Sequence, residues 1–413
     1  MVGHVTVVGA GIVGLSTAWQ LQRRGIEVTV LDRSRVAAGS SWGNAGWITP
    51  GLAIPLAEPA VLRTGLRSLT DPRAPLHIPV TADPGLWSFL ARFAARCRMP
   101  VWRRTMAALV PLNRLALAAY DELEEEGALP VRTRRGPIMA AFREPADADG
   151  LLRELDQVRE AGFPVEVTDV DAEELRAAAP IVSAQVRRGL RIEGQRYVAP
   201  GDFVAGLAES VRRRGGEVRE GAEVSGIRHV GGGLAVEVVG DVPVRTEAVV
   251  LATGGWLPRL ARPLGVRTPL RPGRGYSFSV SGPPGGLTVP VYFARERVVC
   301  TPLGDRVRVG GTMEFRGVDD PLDPARIEAI AASARPLVQG LDLGSRQDEW
   351  VGSRPITVDG LPLVGATKVP GVWVHGGHGM WGMCQGPATA RLLAEQLATG
   401  LVPEELRPLD PTR

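Results

Sequence analysis

Val5-Thr-Val-Val-Gly-Ala-Gly-Ile-Val-Gly-Leu15, followed by Val28-Thr-Val-Leu-Asp32, reads as strand, glycine turn, helix, strand and acid. Val5, Val7 and Val8 make a short apolar strand. Gly9, Gly11 and Gly14 then form a G-x-G-x-x-G turn. Gly9 permits the tight bend, Gly11 lets a diphosphate approach the backbone, and Gly14 lets the helix pack on the strand. Free amides at the start of that helix attract the diphosphate. Asp32 ends the second strand, placed to accept a hydrogen bond from a ribose hydroxyl. With the right strand before it, helix after it and acid beyond it, the motif reads as a dinucleotide site rather than an accidental glycine-rich turn. Alone it does not distinguish a flavin from a nicotinamide dinucleotide.

The chain has 413 residues, enough for two interleaved domains. Apolar residues are 44% and charged residues 23%, as in an ordinary globular protein. The net charge of +3 is small, and no basic run with interleaved aromatics occurs, so nucleic acid is not an expected partner. Cys97, Cys300 and Cys384 are scattered, which argues against a disulfide framework and fits a reducing cytosol. His4, His77, His229, His375 and His378 show no metal-ligand spacing, and no nucleophile elbow occurs. The N-terminus lacks the pattern of a signal peptide, and no run of about 20 apolar residues predicts a membrane span. The expected localisation is cytoplasmic.

Helical periodicity covers residues 84–126, with Trp87, Leu90, Phe93 and Ala94 on one face and Leu112, Leu115, Ala116 and Ala119 on another. Residues 131–142 read as a strand pair, 147–161 as a helix, 165–170 as a strand and 171–179 as a short helix. Residues 201–214 return to an amphipathic helix. Strands follow at 217–224, 234–239, 242–245 and 248–251, the last leading into Ala252-Thr253-Gly254. A second excursion has strands at 276–280, 289–293, 298–301 and 307–312 and a helix over 324–338. The chain ends with a strand at 371–375 and a helix that Gly386-Pro387 opens and Gly400 stops. The expected fold class is α/β: a Rossmann-like nucleotide domain (1–82, 195–260 and 351–413) interleaved with an α+β, mixed-sheet substrate domain (83–194 and 261–350).

Six motifs now stand in order: Gly9–Gly14 with Asp32; Gly39-Ser-Ser-Trp-Gly-Asn-Ala-Gly46; Ala252-Thr-Gly254; Gly275-Tyr-Ser277; the segment Ser353–Gly365 containing Arg354-Pro355 and Asp359-Gly360; and His375-Gly-Gly-His-Gly-Met-Trp-Gly382. Together they resemble the FAD-dependent amine and amino-acid oxidoreductases of the D-amino-acid oxidase type, and within them the D-amino-acid dehydrogenases, over essentially the whole chain. The resemblance implies FAD held by Gly9, Ala10, Gly11, Ile12, Val13, Gly14, Asp32, Arg33, Ser40, Ser41, Asn44, Ala45, Gly46, Val224, Thr253, Gly254, Gly379, Met380, Trp381 and Gly382. It implies that the 39–46 loop runs along the diphosphate and under the flavin ring, and that the 376–382 loop wraps the pyrimidine edge. A helix start there stabilises the negative charge of the reduced ring. Cys384 does not match the cysteine that holds flavin covalently in some relatives, so a non-covalent cofactor is implied.

The resemblance also implies that Arg354 binds a substrate carboxylate. A guanidinium presents two parallel donors whose charge does not titrate away. Tyr276 is a second candidate for that carboxylate, with packing in a strand as the alternative. Trp47, Thr49 and His378 are candidates for the substrate pocket. The implied reaction is oxidation of an amino acid's C–N bond, D-amino acids favoured, by hydride transfer to flavin N5, giving an imine and then a 2-oxo acid and ammonia. The electron acceptor is a quinone or O2. Aromatic and basic residues over 84–106 (Trp87, Phe89, Leu90, Phe93 and Trp102 beside Arg92, Arg96, Arg98, Arg103 and Arg104) leave open a peripheral contact with the inner membrane face, against a solvated helix covering its own domain. Oxidation of glycine, sarcosine or proline-type secondary amines by an oxidase, and a role as the FAD-bound subunit of an electron-transfer complex, are the other readings.

Overall fold

A computed structural model describes residues 2–68 and 74–413. Alternating valines put His4–Val8 at the centre of a six-stranded sheet with Val5 and Val7 fully buried. The strand order is Glu217–Arg219, Glu27–Leu31, His4–Val8, Ala248–Leu251, Val372–Gly376, Leu363–Ala366. The first five run parallel and the last is antiparallel. Buried on both faces, these strands read as continuous apolar runs, as parallel strands do.

Helix Ile12–Gln22 follows the first strand and packs between Pro200–Arg213 and Gly382–Thr399. Gly14 makes this packing possible: a Cβ there would lie 1.9 Å from the Gly9 carbonyl oxygen. A small antiparallel sheet of Val224–Val230, Gly233–Val238 and Val244–Thr246 flanks the parallel one.

The second layer is a long mixed sheet. Its order is Gln347–Thr357, Leu270–Ser281, Arg306–Phe315, Val298–Leu303, Val291–Phe293, Ile138–Phe142, Arg188–Ile192, Val167–Asp171. Pairing is antiparallel except between Ile138–Phe142 and Val291–Phe293. Helix Pro324–Ala334 covers one face, sharing a core with Phe278, Val280 and Val309.

Several sequence expectations shift. The helical stretch at 84–126 is two helices, Pro84–Arg96 and Met99–Glu126, broken at Cys97-Arg98 just before Pro100. The second helix, expected in the substrate domain, buries Leu109, Leu112, Ala116, Tyr120 and Leu123 in the core of the parallel sheet. Strand Gln347–Thr357 belongs wholly to the mixed sheet and crosses the boundary expected at 351. The expected strand pair at 131–142 divides between two sheets.

The last helix starts at Gly382, four residues before Gly386-Pro387. Proline has no N–H, so Pro387 leaves the Met383 carbonyl without its helical donor. The buried Tyr120 hydroxyl donates to that carbonyl at 2.5 Å instead. An unpaired buried carbonyl costs about 1–3 kcal/mol, so Tyr120→Phe is expected to lower unfolding stability by that order. Denaturant unfolding of the flavin-loaded variant checks this; wild-type stability would show that the contact carries no net energy.

Candidate active site

The carboxyl ends of the parallel strands open into a cavity of about 420 Å³. Gly9, Gly11, Ile12 and Val13 form its floor at the start of the first helix. Asp32 and Arg33 stand at one end, and Gly376, His378, Gly379, Met380 and Gly382 at the other. Ser40, Ser41, Asn44, Val224, Thr253 and Gly254 complete the expected wall. Asp32 is fixed by two backbone donors, Ala10 N–H at 2.8 Å and Ser34 N–H at 2.9 Å. Burial raises its pKa, opposed by those two donors. The Ser41 hydroxyl accepts from the Ile12 amide at 3.1 Å and so ties the 39–46 loop to the helix start. Ala10, Gly14 and Gly46 shape the backbone without facing either cavity described here.

Two wall residues, Trp256 and Arg259, had no assigned role in the sequence. Arg33 stacks on the Trp256 ring, 4.1 Å from its centroid, and Arg259 stands beside them, tied with Arg33 and Trp256 to Asp319. The position of Trp256 directly after Thr253-Gly254 was the available signal.

A buried relay backs the other end. His375 bridges the Thr17 hydroxyl at 2.7 Å and the Thr389 hydroxyl at 2.8 Å, and His378 Nε2 meets the same Thr389 hydroxyl at 2.9 Å. Burial drives both imidazoles toward the neutral form, His378 down to about 3. His378, expected in the substrate pocket, faces the nucleotide cavity, and its Nδ1 is buried without a hydrogen-bond partner.

Asn44, Arg354 and Met380 line both this cavity and a second one of about 300 Å³. Apolar and aromatic groups, among them Trp47, Leu52, Ile54, Trp350 and Trp381, wall the second space, with Ala45 at its edge. Trp47 donates to the Thr301 hydroxyl at 2.8 Å, which fixes its ring. Thr49 is fully buried and lines neither cavity.

Arg354 lies on strand Gln347–Thr357, opposite Gly273 and diagonal to Gly275. Its guanidinium lies flat on Gly275: a Cβ there would fall 2.2 Å from its Cζ. It makes no ion pair or side-chain hydrogen bond with the described residues. Burial alone draws its pKa down to about 10. A partly desolvated cation that faces two cavities, with no counter-charge among the described residues, is suited to an anion.

Tyr276 corrects an expectation. Side chains alternate along a strand, so Gly275 and Ser277 face Arg354 and the 39–46 loop, while Arg274, Tyr276 and Phe278 face helix Pro324–Ala334. The Tyr276 hydroxyl donates to the buried Glu314 carboxylate, which spends its one proton there. Its backbone borders the second cavity, but the hydroxyl is not available to a substrate carboxylate.

The donor set fits a dinucleotide. Glycine backbone flanks an open helix start, a carboxylate is fixed at a neighbouring strand end, and the Thr253 hydroxyl and His378 Nδ1 stand buried in wall residues without a partner among the described residues. A dinucleotide cavity that shares an unpaired arginine with an apolar pocket defines a redox protein acting on a small anion. The chain belongs to the DAO family of FAD dependent oxidoreductases, which matches residues 4–396. It is 34% identical to a D-amino acid dehydrogenase of Cereibacter sphaeroides, over 97% of this chain and 93% of that one. It is 33% identical to the D-amino acid dehydrogenase of Methylobacterium radiotolerans, over 97% of each. In fold it is similar to glycine oxidase from Geobacillus kaustophilus, with a TM-score of 0.75 and 23% identity, covering 99% of this chain and 98% of that one.

The shelf under Arg354 has a direct test. Gly275→Ala is expected to keep its flavin and its unfolding midpoint within a few degrees, yet to bind a simple carboxylate such as benzoate about tenfold more weakly, the loss of roughly one charged hydrogen bond. Titration of the flavin spectrum with benzoate reads this; unchanged affinity would show that the guanidinium does not need the shelf.

Proposed function

We propose that the protein oxidises D-amino acids with FAD, the α-carboxylate held by Arg354. One observation carries the reading: a half-buried guanidinium with no acid partner among the described residues, at the three-residue seam shared by the two described cavities. The identity to D-amino acid dehydrogenases over nearly the whole chain supports the hand. Gly9–Val13, Asp32, Ser40, Ser41, Thr253 and Gly379–Gly382 are the residues that would hold the cofactor. When bound, FAD supplies the two-electron acceptor.

The protein's own part is orientation and electrostatics. Arg354 pairs bidentately with the carboxylate and fixes the α-carbon at the seam beside Met380 and Asn44. The amine enters unprotonated, so loss of the α C–H with its electron pair leaves an iminium without a protein base, and an N–H proton released to water gives the imine. Water then hydrolyses the imine to the 2-oxo acid and ammonia. Apolar walls at Leu52, Ile54 and Trp381 keep the carboxylate's attraction to Arg354 unscreened.

The test is anaerobic addition of D-, L- and N-alkyl amino acids to the flavin-loaded protein. D-amino acids are expected to bleach the visible flavin band; bleaching only by sarcosine or proline would transfer the reading to secondary amines. Hydrogen bonds to charged groups contribute about 1.5–3 kcal/mol each, so Arg354→Leu is expected to raise KM about 100-fold or more with flavin retained. An unchanged KM would remove Arg354 from substrate binding.

The electron acceptor we propose is a membrane quinone. Arg92, Arg96, Arg98, Arg103 and Arg104 are all exposed beside the outward Trp87, Val80 and Leu62, while Phe89, Phe93 and Trp102 turn inward to the core. No helix among the described residues is long and apolar enough to cross a membrane. A cationic face with a few apolar contacts suits an anionic lipid surface. Co-sedimentation with phosphatidylglycerol vesicles that is lost in high salt is expected; equal recovery with neutral vesicles, or none with either, would favour O2 and a solvated helix.

A further inference from the structure

Three segments remote in sequence bring charge to the mouth of the second cavity. Glu58 precedes helix Pro59–Ser68, Glu154 projects from helix Ala148–Glu160, and Arg297 sits in the turn between strands Val291–Phe293 and Val298–Leu303. Arg297 is half exposed, which places the group at the opening. Its guanidinium donates to the Tyr292 hydroxyl at 2.8 Å and stands 4.0 Å from Glu58. One cation is thus already shared between a phenol and a carboxylate. Glu154 has neither hydrogen bond nor ion pair among the described residues. Burial pushes its carboxyl up to about 7, with Arg297 pulling the other way. Two carboxylates against one guanidinium leave the mouth one negative charge in excess when both are ionised.

The cluster is separate from the carboxylate anchor. Arg354 responds to burial only and to neither acid. Between the two ends the wall is apolar and aromatic, with Leu52, Ile54 and the edge-to-face pair Trp47–Tyr292, whose centroids lie 5.7 Å apart. An anchored amino acid would lay its side chain along this wall toward Glu154.

We propose that the cavity selects amino acids whose side chain is an aliphatic stem ending in a cation, a guanidinium or an ammonium, with Glu154 and Glu58 as the specificity-determining groups. The proposal rests on Arg354 holding the α-carboxylate. The stem replaces water on the apolar wall. The terminal cation meets the carboxylate that has no partner and passes ring faces that attract cations. A side-chain carboxylate would face two acids and a guanidinium already engaged. Specificity is then built from attraction to one class and repulsion of the other.

The experiment compares kcat/KM for D-arginine with that for D-citrulline, its neutral isostere, and for D-lysine with D-norleucine. D-glutamate serves as the opposite charge. The cationic partner is expected to lead by about tenfold or more, carried by KM, the scale of one partly desolvated charge pair. Glu154→Gln and, separately, Glu58→Gln are expected to lower that ratio several-fold. The wild-type ratios decide the matter even where a variant fails to fold. Cationic-to-neutral ratios near one, or a lead for D-glutamate, would overturn the proposal while the bleaching itself leaves amino-acid oxidation standing. If only the L series reacts, the same ratios read in that hand decide it and only the handedness falls. If no amino acid of either hand bleaches the flavin, both readings fall together.

Discussion

A half-buried guanidinium without an acid partner among the described residues is the constraint around which the two sheets are arranged. Burying a charge costs several kcal/mol unless something repays it. Among the described residues none pairs with Arg354, and space is left on two sides of it. Strand Gln347–Thr357 carries the residue, Gly275 gives it a flat bed, and the 39–46 loop closes over the same strand. The Ser40 hydroxyl donates to the Ser353 carbonyl, and the Ser277 hydroxyl donates to the Gly43 carbonyl at 2.7 Å. The 39–46 loop that lines the first cavity is therefore sewn to the strands around Arg354. The two described cavities are thus tied together by one shared set of hydrogen bonds.

How legible this was depends on how local the physics is. Val5–Asp32 announces its own fold because strand alternation, the Gly14 contact and the acid at the strand end are all short-range. The hairpin at 233–246 and the helix Ala148–Glu160 are local in the same way. Arg354 could be singled out only by resemblance, since nothing within a few residues of it shows that no acid lies near in space. Tyr276 was within reach of strand logic: the small residues Gly275 and Ser277 mark one face, and Arg274, Tyr276 and Phe278 the other. The gathering of Glu58, Glu154 and Arg297 was not, because three sheet and helix placements decide it together.

Two misplacements share a cause. Gly386-Pro387 has the composition of a helix start, and residues 99–126 have the position of a substrate-domain helix. Tertiary contact overrides both: the long helix lies in the nucleotide core, and from there Tyr120 supplies the donor that Pro387 removes. Neither element can be placed correctly without the other.

The order of the parallel sheet also bears on how the chain is made. Its neighbours are drawn from residues 4–8, 27–31, 217–219, 248–251 and 372–376, and its covering helix ends at Thr399. The valine strand His4–Val8 pairs with Ala248–Leu251 across about 240 intervening residues. One edge of the sheet, Val372–Gly376 and Leu363–Ala366, and the covering helix all come from residues 363–399. Such long-range closure is slow and leaves apolar edges open during synthesis. A chain not yet folded past residue 399 would therefore present the very strands that build the nucleotide site as sticky, unpaired surfaces.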